Sequence, residues 1–482
     1  MNTKLLKQKI LDLAIRGKLT DQRKSDGTAA DLLKEICDRT QEKTSLRAKR
    51  GNPSPQTIIP LDKSEAPFEI PANWEWVKLG NVCLLNPADK LTDDMEVSFV
   101  PMVNIGAGFE NRFISEVRSW NSVKSGFTRF ANGDIAVAKI TPCFENRKSV
   151  IFENLKNGFG AGTTELHILR TFEPVFNKYI FWYVKSEYFI QNGIGHFSGA
   201  VGQQRVGKDV FFNACLPLPP LAEQQRIVKK IEETFAEIDA VEKNKELLKT
   251  HIKQTRQKIL DLAIHGKLVP QNKSDEPASV LLERITRDNP HYEKLTDIPF
   301  EIPESWEWVN AEDLFNIRSA IRIHQTDWQK EGIPFFRGRE LVQLCKTGNV
   351  DFEIYISEKM YEENKRKGGV PQKNDILVSA VGTLGFAYVV KGNKPFYYKD
   401  AYILCFENRH NLNPFYFQHL IHSKFINKII YGGSKGTTVD QLTIENAKKL
   451  PMPLPPLAEQ KRIVNKIEEI FASLDEISLH LV

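Results

Sequence analysis

The sequence predicts an α/β (α+β) protein, with two mixed α/β domains separated by a long antiparallel helical coiled-coil pair and a pseudo-twofold internal repeat. Three observations predict it. Two segments of similar pattern, about 67–220 and 299–456, contain short β-like runs. A stretch without Gly or Pro, from Leu221 to His265, joins them. Copies of the two halves of this stretch open and close the chain, whose 482 residues exceed one ordinary core.

The repeat is visible in three motifs. "ILDLAIRGKL" at Ile10 recurs as "ILDLAIHGKL" at Ile259. "PFEIPANWEWV" at Pro67 recurs as "PFEIPESWEWV" at Pro299, and "PLPPLAEQ" occurs at both Pro217 and Pro453. The duplication is staggered, because the PLPPLAEQ and ILDLAI segments are continuous in the middle of the chain but separated at its two ends.

The central stretch has the signals of one long helix. Pro219 and Pro220 suit a first helical turn, and Gly266 followed by Lys267 suits a C-terminal cap. A seven-residue lattice of Ile residues predicts a coiled-coil seam with a phase adjustment near Lys245. About 45 residues at 1.5 Å each would exceed a small domain, which disfavours the alternative of a helix packed only on its own domain. The terminal segments carry apolar stripes that would supply a composite second rod: Leu6, Ile10 and Leu13 at one end, and Ile463, Val464, Ile467, Ile470, Phe471 and Leu474 at the other.

These signals predict seven segments. Two are halves of the composite helix, one is the central helix, two are linkers, and two are the mixed domains. In chain order we predict the N-terminal half-helix at 1–20, a linker with an amphipathic helix at 21–66, the first domain at 67–220, the central helix at 221–268, a linker at 269–298, the second domain at 299–456 and the C-terminal half-helix at 457–482.

Both domains keep the same framework of strands and helices. "DIAVAKI" at Asp134 aligns with "DILVSAV" at Asp375, and an aromatic helix-like stretch follows at both Asn177 and Asn413. The stretches between these elements diverge, including "AKITPCFENRK" against "SAVGTLGFAYV". A constant scaffold with variable loops is what the recognition of two different targets requires.

Motifs for catalysis by this chain are missing. "GQQRVGKD" has phosphate-loop spacing, but Asp209 replaces the Ser or Thr that would bind magnesium, and no helix is predicted to follow it. The six cysteines form no metal or disulfide pattern, which fits a reducing compartment. There is no signal peptide and no apolar run of about 18 residues, so we predict a cytoplasmic protein without a membrane span.

Several loops carry side chains suited to nucleic acid. Arg can hydrogen-bond guanine and Gln or Asn can hydrogen-bond adenine in the major groove, while Lys and hydroxyl groups suit phosphates. The net charge of +5 agrees weakly with a polyanionic partner. For each loop alone, a solvated turn is the alternative, and the paired Trp74/Trp76 and Trp306/Trp308 are expected in the core rather than stacked on bases. The basic loops are "ENRK" with Arg147, "GQQRVGK", "RGRE" with Arg337 and Arg339, "ENKRKGG" and "GGSKGTT" with Lys435.

Over essentially its whole length the chain resembles the specificity subunits of Type I restriction–modification systems. The resemblance rests on the two PLPPLAEQ motifs, "KILDLAIHGKLVPQ", the duplicated "WEWV", "AKITPCFEN", "GQQRV" and "GTT". It implies a non-catalytic subunit with two target-recognition domains, each of which binds one half of a bipartite site in double-stranded DNA. It also implies two partner modification subunits, which bind S-adenosylmethionine and methylate adenine, and restriction subunits that can join; no cofactor belongs to this chain itself. The alternative from another class is a coiled-coil adaptor with two protein-binding domains.

The resemblance also places candidate DNA-binding residues. The second domain lacks the "ITPCFEN" and "QQR" patterns, so it resembles a different subgroup and should recognise another sequence. The basic segment "KTSLRAKR" from Lys43 has no counterpart in the second copy and is a further candidate for phosphate contact. Together with Arg147, Arg337, Arg339 and Lys435 from the loop chemistry, the predicted residues are Lys139, Thr141, Glu145, Asn146, Lys148, Gln203, Gln204 and Arg205 in the first domain, and Ser379, Thr383, Thr437 and Thr438 in the second.

Overall fold

A computed structural model describes residues 2–45, 60–61, 66–200, 202–287, 292–392, 394–432 and 441–481. The chain divides into two compact units, Met1–Asn244 and Lys245–Val482. The division falls inside α7, a helix of 44 residues from Leu221 to Ile264. Each unit therefore holds one terminal helix, one sheet-containing domain and one part of α7.

The first unit contains two four-stranded sheets. One has the order β2-β9-β6-β7 and is antiparallel throughout, while the other has the order β4-β3-β8-β5 with β3 and β8 parallel. Two-stranded ribbons β1-β12 and β10-β11 complete the unit. The strands are β1 Glu75–Lys78, β2 Cys83–Leu85, β3 Glu96–Val100, β4 Glu116–Ser119, β5 Thr128–Ala131, β6 Ile135–Ala138, β7 Ser149–Ile151, β8 Phe159–Gly162, β9 Leu166–Thr171, β10 Phe197–Ser198, β11 Arg205–Val206 and β12 Cys215–Leu218, and the helices before α7 are α1 Thr3–Ile15, α2 Ala29–Ser45, α3 Trp120–Val123, α4 Asn177–Val184, α5 Glu187–Ile194 and α6 Lys208–Asn213.

The second unit repeats this plan. Its four-stranded sheet has the order β14-β20-β17-β18, its three-stranded sheet has the order β16-β15-β19 with β15 and β19 parallel, and its ribbon is β13-β21. The strands are β13 Glu307–Asn310, β14 Asn316–Ser319, β15 Ile333–Phe336, β16 Tyr355–Ile356, β17 Ile376–Ser379, β18 Ala387–Val389, β19 Tyr397–Tyr398, β20 Ile403–Glu407 and β21 Pro451–Leu454, and the helices after α7 are α8 Ala278–Thr286, α9 Ala311–Leu314, α10 Gly338–Thr347, α11 Glu358–Arg366, α12 Pro414–Ile421, α13 Lys424–Gly432, α14 Ile444–Lys448 and α15 Leu457–Leu479.

The terminal helices pack on α7 as the sequence predicts. In the first unit Thr3 of α1 donates to Glu242 at 3.2 Å and Lys7 pairs with Asp239, so the two helices run antiparallel. In the second unit Arg256 of α7 pairs with Asp475 of α15 at 2.5 Å. Each terminal helix joins the apolar core of its own unit, together with the facing part of α7.

A buried polar joint ties each domain to its long helix. In the first unit the Glu223 carboxylate accepts from the Trp74 indole N–H at 2.9 Å and the Gln22 amide at 2.6 Å. Glu223 is fully buried, and burial raises its pKa even though these two bonds lower it. Beside it, Arg226 pairs with Asp26 at 2.6 Å. The joint therefore links the WEW motif, the LAEQ motif and the segment that follows GKL, which are far apart in the sequence.

The second unit contains the same joint, residue for residue. Glu459 accepts from Trp306 at 3.0 Å and from Gln271 at 2.6 Å, and Arg462 pairs with Asp275 at 2.6 Å. A glycine is required at the turn in both copies: a Cβ on Gly17 would lie 2.3 Å from Pro71, and one on Gly266 would lie 2.3 Å from Pro303. The duplicated motifs are thus explained by duplicated contacts.

The four tryptophans of the WEW motifs lie in the core, as predicted, each no more than 5% exposed. The aromatic stretches are helical as predicted, and one helix prediction was wrong. Each aromatic stretch forms two helices, because Ser186 caps the N-terminus of α5 and Ser423 lies at the corresponding break. The stretch after "GQQRVG" does form a helix, α6, although a short one.

All six cysteines lie within the described part of the chain, and none of them forms a disulfide bond. No described helix is long and apolar enough to cross a membrane.

Candidate nucleic-acid interface

Four segments of the first domain converge at one end and form loop cluster 1, defined as residues 101–114, 139–148, 163–165 and 202–207. The amide of Lys139 donates to the Glu165 carbonyl at 3.0 Å, and the amide of Thr141 donates to the Gln204 carbonyl at 2.9 Å. Val206 N–H donates back to the Lys139 carbonyl at 2.9 Å. The "ITPCFENRK" and "GQQRV" motifs, about 60 residues apart in sequence, therefore lie side by side.

Most of the candidates in loop cluster 1 reach the surface. Glu145, Asn146 and Gln203 are exposed, and Lys139 and Gln204 are half-buried. Lys139 makes no ion pair with any described residue, so its ammonium is available to a phosphate. The Thr141 hydroxyl oxygen is buried without a hydrogen-bond partner among the described atoms. Amides and a cation at one surface are suited to DNA.

Arg147 is a correction to the predicted set. Its side chain is only 6% exposed, its Nε donates to the Lys185 carbonyl at 3.0 Å, and its guanidinium pairs with Glu187. A buried guanidinium with these partners stabilises the loop and has no free face for DNA. The sequence pattern "ENRK" gave no indication of this, because the partners lie about 40 residues further along the chain.

Two more of the predicted residues, Arg205 and Lys148, form hydrogen bonds within loop cluster 1. Arg205 forms a two-point contact with the Glu165 carboxylate at 2.9 Å and also donates to the Gln203 carbonyl at 2.9 Å. This hydrogen bonding holds the pKa of the Glu165 carboxyl below its usual value. Lys148 donates to the Met102 carbonyl at 3.0 Å. Arg205 and Lys148 therefore stabilise the conformation of loop cluster 1, and Gln203 and Gln204 stay at its surface.

Lys185, which no sequence motif indicated, stabilises loop cluster 1. It is fully buried at the end of α4 and donates to the carbonyls of Gly108 at 2.8 Å and Arg147 at 3.0 Å. Burial, helped by the charge of Arg147, lowers the Lys185 pKa to about 7. The only signal in the sequence is a Lys-Ser pair after an aromatic helix, which is too common to be informative.

Two histidines, buried His167 and half-buried His422, contact backbone groups in or next to the loop clusters. His167 bonds through Nε2 to the Val206 carbonyl at 3.1 Å, and His422 in the second domain accepts from the Ala387 N–H at 3.0 Å. Burial lowers the pKa of both to about 4. Both rings are therefore uncharged at neutral pH.

Acidification from pH 6.5 to pH 4 is expected to reduce the free energy of unfolding. In this window the unfolded chain protonates these histidines, whose pKa is then about 6.5, while the folded chain leaves them neutral. Their contribution is complete above pH 6.5 and is lost as the pH falls towards 4. Urea unfolding between pH 7 and pH 4.5 measures it: His167→Gln and His422→Gln should flatten the dependence, and exposed His251→Gln should not. Equal slopes for all three variants would contradict the assignment.

Loop cluster 2 occupies the corresponding end of the second domain and comprises residues 337–347, 380–386, 399–402 and Gln441. Ala380 N–H donates to the Tyr402 carbonyl at 2.9 Å, and Leu442 N–H donates to the Ala380 carbonyl at 2.8 Å. An isolated bridge joins Val381 to Gln441, as Ile140 is joined to Arg205 in the first domain. The two clusters thus share a backbone pattern and differ in side chains.

A basic cleft of about 580 Å³ opens in loop cluster 2. Among its lining residues, Arg337, Arg339 and Thr383 were predicted from the sequence, whereas Lys346, Lys399 and Tyr402 were missed. The missed residues belong to no motif and come together only through the fold. Lys399 lies 4.0 Å above the Tyr402 ring and, like Lys346, forms no ion pair with a described residue.

Ser379 is a second correction. It is fully buried in β17, and its hydroxyl accepts from the Phe386 N–H at 2.9 Å, so it closes the loop and cannot reach DNA. The predicted Lys435, Thr437 and Thr438 lie outside the described residues, as do residues 46–50 of the basic first linker. No group of three or more His, Cys, Asp or Glu among the described residues is placed to hold a metal ion.

Two copies of one scaffold, each with a polar and basic loop cluster of its own, define a protein with two binding surfaces of common design. The chain matches the sequence model of the Type I restriction modification DNA specificity domain twice, over residues 71–250 and 303–479. It therefore belongs to the family of Type I restriction–modification specificity subunits.

Individual relatives agree with this assignment. The chain is 33% identical to the specificity subunit of the Type I restriction enzyme EcoAI of Escherichia coli, an alignment that covers 98% of this chain and 90% of that protein. It is 32% identical to the EcoEI specificity subunit of the same species, over 99% and 90%. The crystal structure of the HsdS subunit from Thermoanaerobacter tengcongensis has the same fold, with a TM-score of 0.57 and 19% identity over 87% of this chain and 94% of that one.

Proposed function

We propose that each domain of this specificity subunit binds one half of a bipartite site in double-stranded DNA. The long helix and the terminal helices set the distance between the half-sites and provide the surface on which two modification subunits dock. Those subunits bind S-adenosylmethionine and methylate adenine, and restriction subunits can join the complex. This chain carries out no chemistry and works in the cytoplasm.

One observation carries the proposal: the two units keep the same polar joint and the same loop backbone but present different side chains. Glu223 and Glu459 have matching partners at matching distances. At the loops, by contrast, the side chains differ. The Lys139 N–H donates to the Glu165 carbonyl in the first domain, and the Ala380 N–H donates to the Tyr402 carbonyl in the second. Lys139 therefore corresponds to Ala380, and Glu165 corresponds to Tyr402. A constant attachment with variable loops supports the recognition of two unlike half-sites.

The test is to map methylated adenines in DNA exposed to the full complex. A single bipartite motif should appear. Replacement of residues 67–220 by the corresponding domain of a relative should change one half of that motif and leave the other half intact. If both halves changed together, or if neither changed, the assignment of one domain to one half-site would be wrong.

DNA affinity is expected to fall steeply with salt, because Lys139 and other cations of the loop clusters would displace counterions from phosphates. The logarithm of the binding constant should decrease by about 0.9 per phosphate contact for each unit of log salt concentration. Fluorescence anisotropy with a duplex between 50 and 200 mM salt measures this slope. Lys139→Ala should reduce it by roughly one contact, whereas Lys178→Ala should not, because Lys178 lies outside loop cluster 1 and pairs with Glu232. A salt-independent affinity would contradict the proposal.

A further inference from the structure

Helix α10 of the second domain presents three polar side chains on one exposed face. Arg339, Gln343 and Lys346 follow each other at spacings of four and three residues, which places them on the same side of a helix. All three are exposed and line the basic cleft, whereas Leu341 on the opposite side is fully buried. The helix is therefore anchored by one face and offers the other to the solvent.

The same cleft contains the predicted loop residue Thr383 and the cations Lys346 and Lys399, neither of which forms an ion pair within the part of the chain that the structure describes. The helix face thus adjoins the loop that the sequence resemblance assigns to DNA. A B-form major groove, about 12 Å wide, admits one α-helix. Arg and Gln are the side chains that form two-point hydrogen bonds with guanine and adenine there. The basic charge and the side-chain types both fit duplex DNA.

From these contacts, and resting on the proposed function, we infer that α10 is the recognition helix of the second half-site. It enters the major groove and contacts bases through Arg339 and Gln343, while Lys346 contacts a phosphate. The first domain has no equivalent helix: the segment after β3 is a short 3-10 turn, Met102–Asn104, followed by a loop. The two domains therefore recognise their half-sites with elements of different shape.

The ion pairs around Arg339 are compatible with this role. Arg339 donates to Glu340 at 2.7 Å and pairs with exposed Glu353. Glu340 is buried, but it also accepts from the backbone and side chain of Arg337, at 3.0 and 2.5 Å. If Arg339 turns towards a base, Glu340 keeps Arg337 as its partner. Arg337 is accordingly a positioning residue, and Arg339 is the residue that contacts DNA.

The test is carried out with the full specificity subunit in complex with its modification subunits. Arg339→Ala and Gln343→Ala are compared with the parent chain in selection from duplexes in which the half-site bases are randomised. Lys359→Ala is the matched control, because Lys359 is an exposed cation on α11, the next helix along the chain, and lies outside the cleft. Thermal unfolding of each variant checks that its fold is intact.

Each variant of α10 is expected to relax one base position of a single half-site, with a roughly 10- to 100-fold loss of discrimination there. The other half-site should stay unchanged, and Lys359→Ala should leave the preference as it is. A uniform loss of affinity over all sequences would show that α10 contacts only the backbone and would overturn the inference, as would unchanged selection. If the parent complex itself selected no bipartite site, the proposed function would fail rather than the role of α10.

Discussion

Insertion of four residues after Lys245 is expected to lengthen the spacer in the preferred DNA site by about two base pairs. Four helical residues add about 6 Å, and a duplex rises about 3.4 Å per base pair. The insertion falls between the two sets of contacts on α7, since α1 reaches Glu242 and α15 reaches Arg256. Both terminal helices therefore keep their partners, and only the length of α7 changes.

The phase of the helix provides the control. Four residues turn the following part of α7 by about 40° beyond a full turn, whereas two residues turn it by about 200°. A two-residue insertion should therefore weaken binding at every spacer length. Selection from duplexes with spacers of graded length measures both variants. If the four-residue variant prefers the parent spacer, α7 does not set the distance.

Much of the architecture could be predicted because it depends on local patterns. The long helix follows from 45 residues without Gly or Pro, and the staggered repeat shows which segments pack on it. Strands β6 and β17 were predicted from short apolar runs and lie at corresponding positions. The break at Ser186 was missed because a cap in the middle of an aromatic stretch depends on a single side chain.

The candidate site could be predicted only in outline. Sequence motifs marked the segments that converge, but they could not separate the side chains that face solvent from those that hold the loops. The residues around Arg147 and Arg205 do not distinguish them from exposed arginines. Their ion-pair partners, Glu187 and Glu165, lie about 40 residues away in the sequence, so the pairing could not be predicted from either motif. Lys346 and Lys399 join the basic cleft only because β15 and β19 are parallel neighbours, and no spacing in the sequence indicates that pairing.

The polar joint explains why the PLPPLAEQ motif occurs twice. Its Glu accepts two hydrogen bonds in a buried site, and its Gln joins the start of an aromatic helix to the same point: Gln224 accepts from the Phe176 N–H at 3.0 Å and donates to the Pro219 carbonyl at 2.9 Å. Under the proposed function, each domain must be held rigidly on its helix, because a small displacement would misplace the proposed base contacts of Gln203 and Arg339. The same contacts that stabilise the fold therefore also fix the position of each domain on its helix.

Glu223→Ala is expected to lower the free energy of unfolding of the first unit by about 1–3 kcal/mol, because it leaves the buried indole N–H of Trp74 without an acceptor and removes the partner of the Gln22 amide. Glu223→Gln should cost less, since its carbonyl still accepts from Trp74 and the Gln22 amide can turn to accept from the new amide. Glu459→Ala should have the same effect in the second unit, whereas exposed Glu237→Ala on the same long helix should be nearly neutral. Denaturant unfolding measures the four variants. Equal stability of Glu223→Ala and Glu237→Ala would show that the carboxylate does not hold the domain to its helix, and the joint would then owe its strength to Trp74 packing alone.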